Sequence, residues 1–230
     1  MSSDVAWPAE GMISQGLSAA SADVARSLSY RAFATAFSYP DREGLSAIRA
    51  GSLADTLRRL VGGAAPQLLA DTDWDALRDA GVDDESLLVE FTRLFEAGAE
   101  GPDCPLNGGQ YRGGAMESLE ELVRFYDFFG LSCDQLTQGE PDHLVTELEF
   151  LHFLSFQEAR LGATGDDVTG VLLAQRDFIQ RHPGAWVPTL RERLLGTGAP
   201  RFFCELASLL ERFLQAEEAR LASIPHGCVQ

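Results

Sequence analysis

The sequence has no lysine: all 18 cationic residues among its 230 positions are arginine, set against 35 aspartates and glutamates for a formal charge of −17. A phosphate-loop ATPase needs the lysine that follows its glycines, a kinase needs one on its phosphates, and pyridoxal phosphate needs a lysine amine for its Schiff base. None of these chemistries can operate here. The acidity also opposes nucleic-acid binding, which relies on cations displacing counterions from phosphates. A cationic partner suits the chain better, although most of the charge is of the kind that keeps acidic proteins in solution.

β-Branched residues are scarce too, with 4 isoleucines and 11 valines beside 32 leucines and 29 alanines. That balance favours helix over strand, so no substantial sheet is expected. The cysteines Cys104, Cys133, Cys204 and Cys228 contain no C-x-x-C pair for zinc or redox exchange and read as free thiols. No uncharged run approaches the 18 apolar residues of a membrane span. The opening segment carries Asp4 and Glu10 and no cation before Arg26, unlike a signal peptide. Together these features predict a cytoplasmic protein without a membrane anchor. Apolar residues at 45% and charged residues at 23% are ordinary globular usage, and the length suffices for one sizeable core.

Residues 1–20 lack periodicity and read as a mobile tail, leaving 21–230 as one helical domain. Apolar positions Val24, Leu28, Ala32, Phe33, Ala36 and Phe37 predict a first helix that Pro40 stops. A second is expected over 43–61, ended by Gly62 and Gly63, with short helices near 65–70 and 73–80. Leu87, Leu88, Phe91, Leu94 and Phe95 form one stripe over 84–96, buried in the core or lying under a ligand. Residues 97–114 form a loop with six glycines and two prolines, long enough to be functional or disordered. Its glycines make no G-x-G-x-x-G fingerprint, which argues against a dinucleotide site.

Met116, Leu119, Val123 and Tyr126 then predict a helix over 115–129, closed by Gly130. The 130–140 connection is a candidate hinge. Glu140-Pro141-Asp142-His143 is expected to open a helix, with proline in its first turn and carboxylates at the positive end of its dipole. That helix runs to Leu161 and is apolar nearly all round from Phe150 to Phe156, as a central buried helix would be. Helices near 166–181, 184–195 and 201–222 complete an all-α, single globular bundle of about nine to eleven helices.

Few arrangements suggest catalysis. Glu149 and His152 form an E-x-x-H pair, the spacing by which di-iron bundles present ligands, but its only formal mate, Glu140 to His143, lies nine residues earlier on the same helix. A helical-bundle metal protein or enzyme using Glu149 and His152 is therefore the alternative reading. A plain helical adaptor with an acidic face is a third. His143 and Glu147, four apart, could form an acid–base pair, though a hydrogen-bonded pair fixing a helix end is commoner. His182 and Trp186, either side of Pro183, read as packing residues of a helix junction.

The run E-P-D-H-L-V-T-E-L-E-F-L, residues 140–151, resembles the signature of the TorD/DmsD family of redox-enzyme maturation chaperones. Four other segments resemble that family in order: SLSYRAFATAFSYPDREGL, LLVEFTRLFEAG, LVRFYDFFGLS and FIQRHPGAWVPTL. The similarity covers residues 24 to about 217. The loop C-P-L-N-G-G-Q-Y, residues 104–111, is unlike commoner members. ELEFLHFL resembles the branch serving enzymes that oxidise hydrocarbons or dimethyl sulfide, or reduce selenate or chlorate.

The resemblance implies a non-catalytic, all-helical chaperone that needs no cofactor of its own. It would bind the catalytic subunit of a molybdoenzyme, commonly through a twin-arginine leader, and hold it for cofactor insertion, alongside molybdenum cofactor delivery proteins. The family's motif falls on Glu140, Pro141, Asp142 and His143, with Glu147 as the downstream acid. A leader with two guanidinium groups and an apolar stretch needs carboxylates beside an apolar groove. Glu140, Asp142 and Glu147 are expected to supply the first, and Phe91, Phe95, Tyr111 and Phe150 to line the second.

Overall fold

A computed structural model describes residues 22–98, 101–113, 115–131 and 140–224. The expected N-terminal tail and most of the 130–140 connection lie outside these residues. Among the described residues there are ten α-helices: α1 Ala22–Phe37, α2 Arg42–Arg49, α3 Ser52–Ala64, α4 Trp74–Arg78, α5 Asp84–Phe91, α6 Ala115–Phe128, α7 Leu144–Thr164, α8 Thr169–Arg181, α9 Pro183–Gly196 and α10 Arg201–Leu221. Asn107 and His143 form an isolated antiparallel bridge, and no strand runs among the described residues. The fold is all-α, as the leucine and alanine excess requires.

Helix α7 is the axis of the core. Its Leu144, Leu148, Phe150, Leu151 and Leu154 are all fully buried, so apolar residues on every side of the helix find partners. Helix α1 lies along it, where Ser27 Oγ meets His152 Nδ1 at 2.8 Å and also donates to the His152 carbonyl. A buried ionic network ties α1 to α7, α8 and α10. Arg26 bonds Glu217 at 2.9 Å, Arg220 bonds both Glu217 and Glu158, and Gln175 donates to Glu158.

Four expectations need correction. The helix over 43–61 is two helices, because Gly51 takes a left-handed conformation (φ 70°) that only glycine adopts readily. Gly62 and Gly63 do not end α3, which continues to Ala64. A Cβ on Gly63 would lie 2.8 Å from the Ala25 Cβ, so this glycine lets α1 and α3 approach closely. In α6 the buried face carries Leu122 and Tyr126, while Met116 is 70% exposed. Pro141 precedes α7 instead of starting it. The N-cap is His143, whose Nδ1 accepts from the Val145 amide.

The stripe over 84–96 is core, with Leu87, Phe91, Leu94 and Phe95 buried. Its second half, Thr92–Glu96, widens into a π-type turn closed by the Ala97 amide on the Thr92 carbonyl. Half-buried Leu88 turns aside from the stripe.

Candidate functional site

Extended backbone at His143 (ψ 135°) keeps the E-P-D-H turn out of the helix and frees it to pair with the preceding loop. The Leu144 amide donates to the Leu106 carbonyl at 2.7 Å, and the Gly108 amide to the Asp142 carbonyl at 2.9 Å. Asp142 accepts from the Gly109 amide at 2.9 Å and from Asn107 Nδ2 at 3.2 Å. The same Asn107 nitrogen donates to Glu140 at 2.6 Å. Tyr126 Oη supports the turn from behind by donating to the Pro141 carbonyl at 2.7 Å. Residues 103–112 thus form a strap that leaves the π-type turn, where the Cys104 amide bonds the Leu94 carbonyl, and crosses the start of α7.

Beneath the strap, Trp186 of α9 donates from Nε1 to Glu147 Oε2 at 3.0 Å. Both residues are only 1% exposed. Burial pushes the Glu147 carboxyl well above the usual carboxylate range, against the opposing indole hydrogen bond. Trp186 also stacks on Tyr111, with ring centroids 5.2 Å apart and 17° between planes, and Arg193 lies 4.5 Å above the other aromatic partner, Tyr111. Tyr111 Oη donates to the Pro105 carbonyl, and Arg112 donates to the Arg181 carbonyl. The strap is therefore anchored at both ends. Burial lowers the His143 pKa, although Glu140 and Asp142 pull it upward.

The candidate acids do not occupy equivalent positions. Glu140 is exposed, while Pro141, Asp142 and His143 are half-buried. Glu147 faces the interior and pairs with Trp186 instead of His143. The aromatic candidates also separate. Tyr111 lies on the strap, and Phe150 sits in the core among Tyr126, Phe129 and Phe178. Phe91 and Phe95 join Phe203 in another cluster. Phe91 borders a cavity of about 490 Å³ together with Tyr39, Ile48, Leu53, Arg31 and Glu149. Phe95 and Phe150 are buried.

Residue patterns alone did not single out Asn107, Gly108, Gly109 and Trp186 as parts of this site. The available signal was Asn-Gly-Gly, a turn-forming sequence inside an unusually long loop. Trp186 carries no local signal for a carboxylate 39 residues away.

The alternative E-x-x-H pair is divided by the packing. His152 Nδ1 is engaged by Ser27, and burial lowers its pKa to about 4. Glu149 borders the Phe91 cavity. Among the described residues no group of three or more His, Cys, Asp or Glu could hold a metal ion.

The family described as nitrate reductase delta subunit matches residues 54–192. A chlorate reductase assembly chaperone protein from Ideonella dechloratans is 35% identical over 198 residues, covering 85% of this chain and 89% of its own. A selenate reductase assembly chaperone protein from Thauera selenatis is 34% identical over 194 residues, covering 84% and 87%. A chaperone protein TorD from Vibrio parahaemolyticus is 28% identical over 102 residues, covering 44% and 47%. The matched span contains the strap, the E-P-D-H turn and Trp186. On this agreement over most of its length, the chain belongs to the nitrate reductase delta subunit family, among the TorD/DmsD-type redox-enzyme maturation chaperones.

Proposed function

We infer that this chain is an assembly chaperone for the catalytic subunit of a molybdoenzyme, held through a twin-arginine leader while the molybdenum cofactor is inserted. The observation that carries the reading is the display of Glu140 and Asp142, side by side at the start of α7 and joined by one Asn107 amide. Two carboxylates in a braced turn offer charge-assisted hydrogen bonds to adjacent guanidinium groups. Glu147 supports the site from inside, since a carboxyl buried against Trp186 cannot reach a ligand in solvent. Of the apolar candidates, only Tyr111 is half-buried and within reach of an apolar stretch, while Phe91, Phe95 and Phe150 are buried in the core.

The role is binding, with no catalytic residue assigned. No helix of the described residues is long and apolar enough to cross a membrane; the reading itself puts the action in the cytoplasm, before export. Cofactor delivery proteins are the expected further partners.

Titration calorimetry with a synthetic peptide bearing an Arg-Arg pair and a following apolar run tests the reading. Glu140→Arg changes an exposed side chain and should weaken binding about tenfold or more, because it sets like charges against each other. Unchanged affinity would place the leader elsewhere. Purification from the native source should bring the molybdoenzyme subunit with the chain.

A further inference from the structure

We propose that Asn107 is an internal stand-in for a leader arginine, so that the strap occupies the arginine site until a client displaces it. This rests on the role given above to Glu140 and Asp142. An asparagine amide is planar and carries two N–H donors on one nitrogen. Here that nitrogen donates to Glu140 Oε2 at 2.6 Å and to Asp142 Oδ1 at 3.2 Å, bridging the two carboxylates as a guanidinium would. The second Asp142 oxygen accepts from the Gly109 amide at 2.9 Å. Both oxygens of Asp142 are thus turned to the strap, and the bidentate fork that arginine favours is closed while the strap is seated.

The geometry also supplies the means of release. Ends of the strap are held without the acids: Leu106 by the Leu144 amide, and Tyr111 by Trp186, Arg193 and the Pro105 carbonyl. Between those anchors Gly108 stays bonded through its amide to the Asp142 carbonyl, and Gly109, without a Cβ, can turn its peptide with little steric restriction. Turning the Asn107 side chain and the Gly109 amide breaks three hydrogen bonds and leaves the carboxylates of Glu140 and Asp142 free to take a new donor, while the rest of the fold keeps its place. A guanidinium makes stronger bonds to a carboxylate than a neutral amide does, so a client arginine can take the position. Other cations make single contacts and compete less well.

The probe is the Arg-Arg peptide, titrated into the full chain. Asn107→Ala should bind it about tenfold more tightly, because the ligand no longer breaks two hydrogen bonds to charged acceptors. Asn107→Asp, which repels the neighbouring acids, should bind at least as tightly as Asn107→Ala. Circular dichroism verifies that both variants keep their helix content. Hydrogen exchange on the native chain gives a readout free of mutation: saturating peptide should speed exchange of the Gly109 amide. Equal or weaker binding by Asn107→Ala, with Gly109 still protected in the complex, overturns the latch. The arginine site then stands by itself if Asp142→Asn weakens binding. If Asp142→Asn and Glu140→Gln both leave affinity unchanged, the arginine site is wrong and the latch falls with it.

Discussion

Trp186 and Glu147 meet in the interior although 39 residues separate them, the indole Nε1 donating to the carboxylate at 3.0 Å. This contact joins α9 to α7 directly under the E-P-D-H turn. Because burial raises the Glu147 pKa, the folded state binds a proton more tightly than the unfolded chain. The residue's contribution therefore favours folding at acid pH and is lost as pH rises through the raised value. Glu147→Gln keeps an acceptor for the indole and cannot ionise, so urea unfolding at pH 7 should find it at least as stable as the native chain. Trp186→Phe leaves a buried carboxyl oxygen without its donor and should cost about 1–3 kcal/mol on that account.

Acid sensitivity should come from two histidines. His182 is buried against Phe125 and Phe178, its ring nitrogens have no hydrogen-bond partner, and Glu121 is 3.9 Å away. Burial lowers its pKa to about 4, as it does for His152. A lowered pKa means the unfolded chain binds more protons between about 6.5 and 4, so stability falls as pH drops through that window. His182→Phe should be neutral or stabilising at pH 7 and should flatten this decline in thermal melts at pH 7, 6 and 5. Glu147→Gln should steepen it, because Glu147 acts with the opposite sign.

Arg26 and Glu217 anchor the ionic network between α1 and α10. Removing Glu217 takes from buried Arg26 its most buried partner and leaves it only Asp23 and the more distant Glu158, so Glu217→Ala should cost about 1–3 kcal/mol in urea unfolding. The double change Arg26→Met with Glu217→Leu should cost less than that single change, since no buried charge remains unpaired. A double change costing the sum of the two singles would show that the pair is not coupled.

Gly108 marks the closest approach of the strap to α9. A Cβ there would lie 2.8 Å from Trp186 Nε1. Gly108→Ala should lower stability by about 1–3 kcal/mol through overpacking and change the Trp186 fluorescence. Native stability with an unchanged emission spectrum would show that the strap yields freely at this point.

Much of the helical order was legible because it is written locally. Pro40 ends the first apolar stripe, Gly130 closes α6 in a left-handed turn, and the all-round apolar run of α7 marks it as central. Gly51 divides the expected second helix, whereas Gly62 and Gly63, expected to end it, lie inside α3. A glycine that breaks a helix and a glycine that admits a neighbouring helix look alike until the neighbour is known. Pro141 was misplaced because a proline suits both a first helical turn and the turn before it. Pairing with residues 106–108 selected the second.

Composition and motif order, by themselves, determined that the chain is helical, acidic and without lysine chemistry, and that its acids gather before α7. Periodicity tells which residues share a face of a helix, but not what covers that face. Tertiary packing alone decided that Glu147 turns inward to Trp186, that Phe150 belongs to the core, and that Asn107 reaches Glu140 and Asp142 from 33 and 35 residues away. Those contacts depend on distant segments meeting in space, and only the folded chain brings them together.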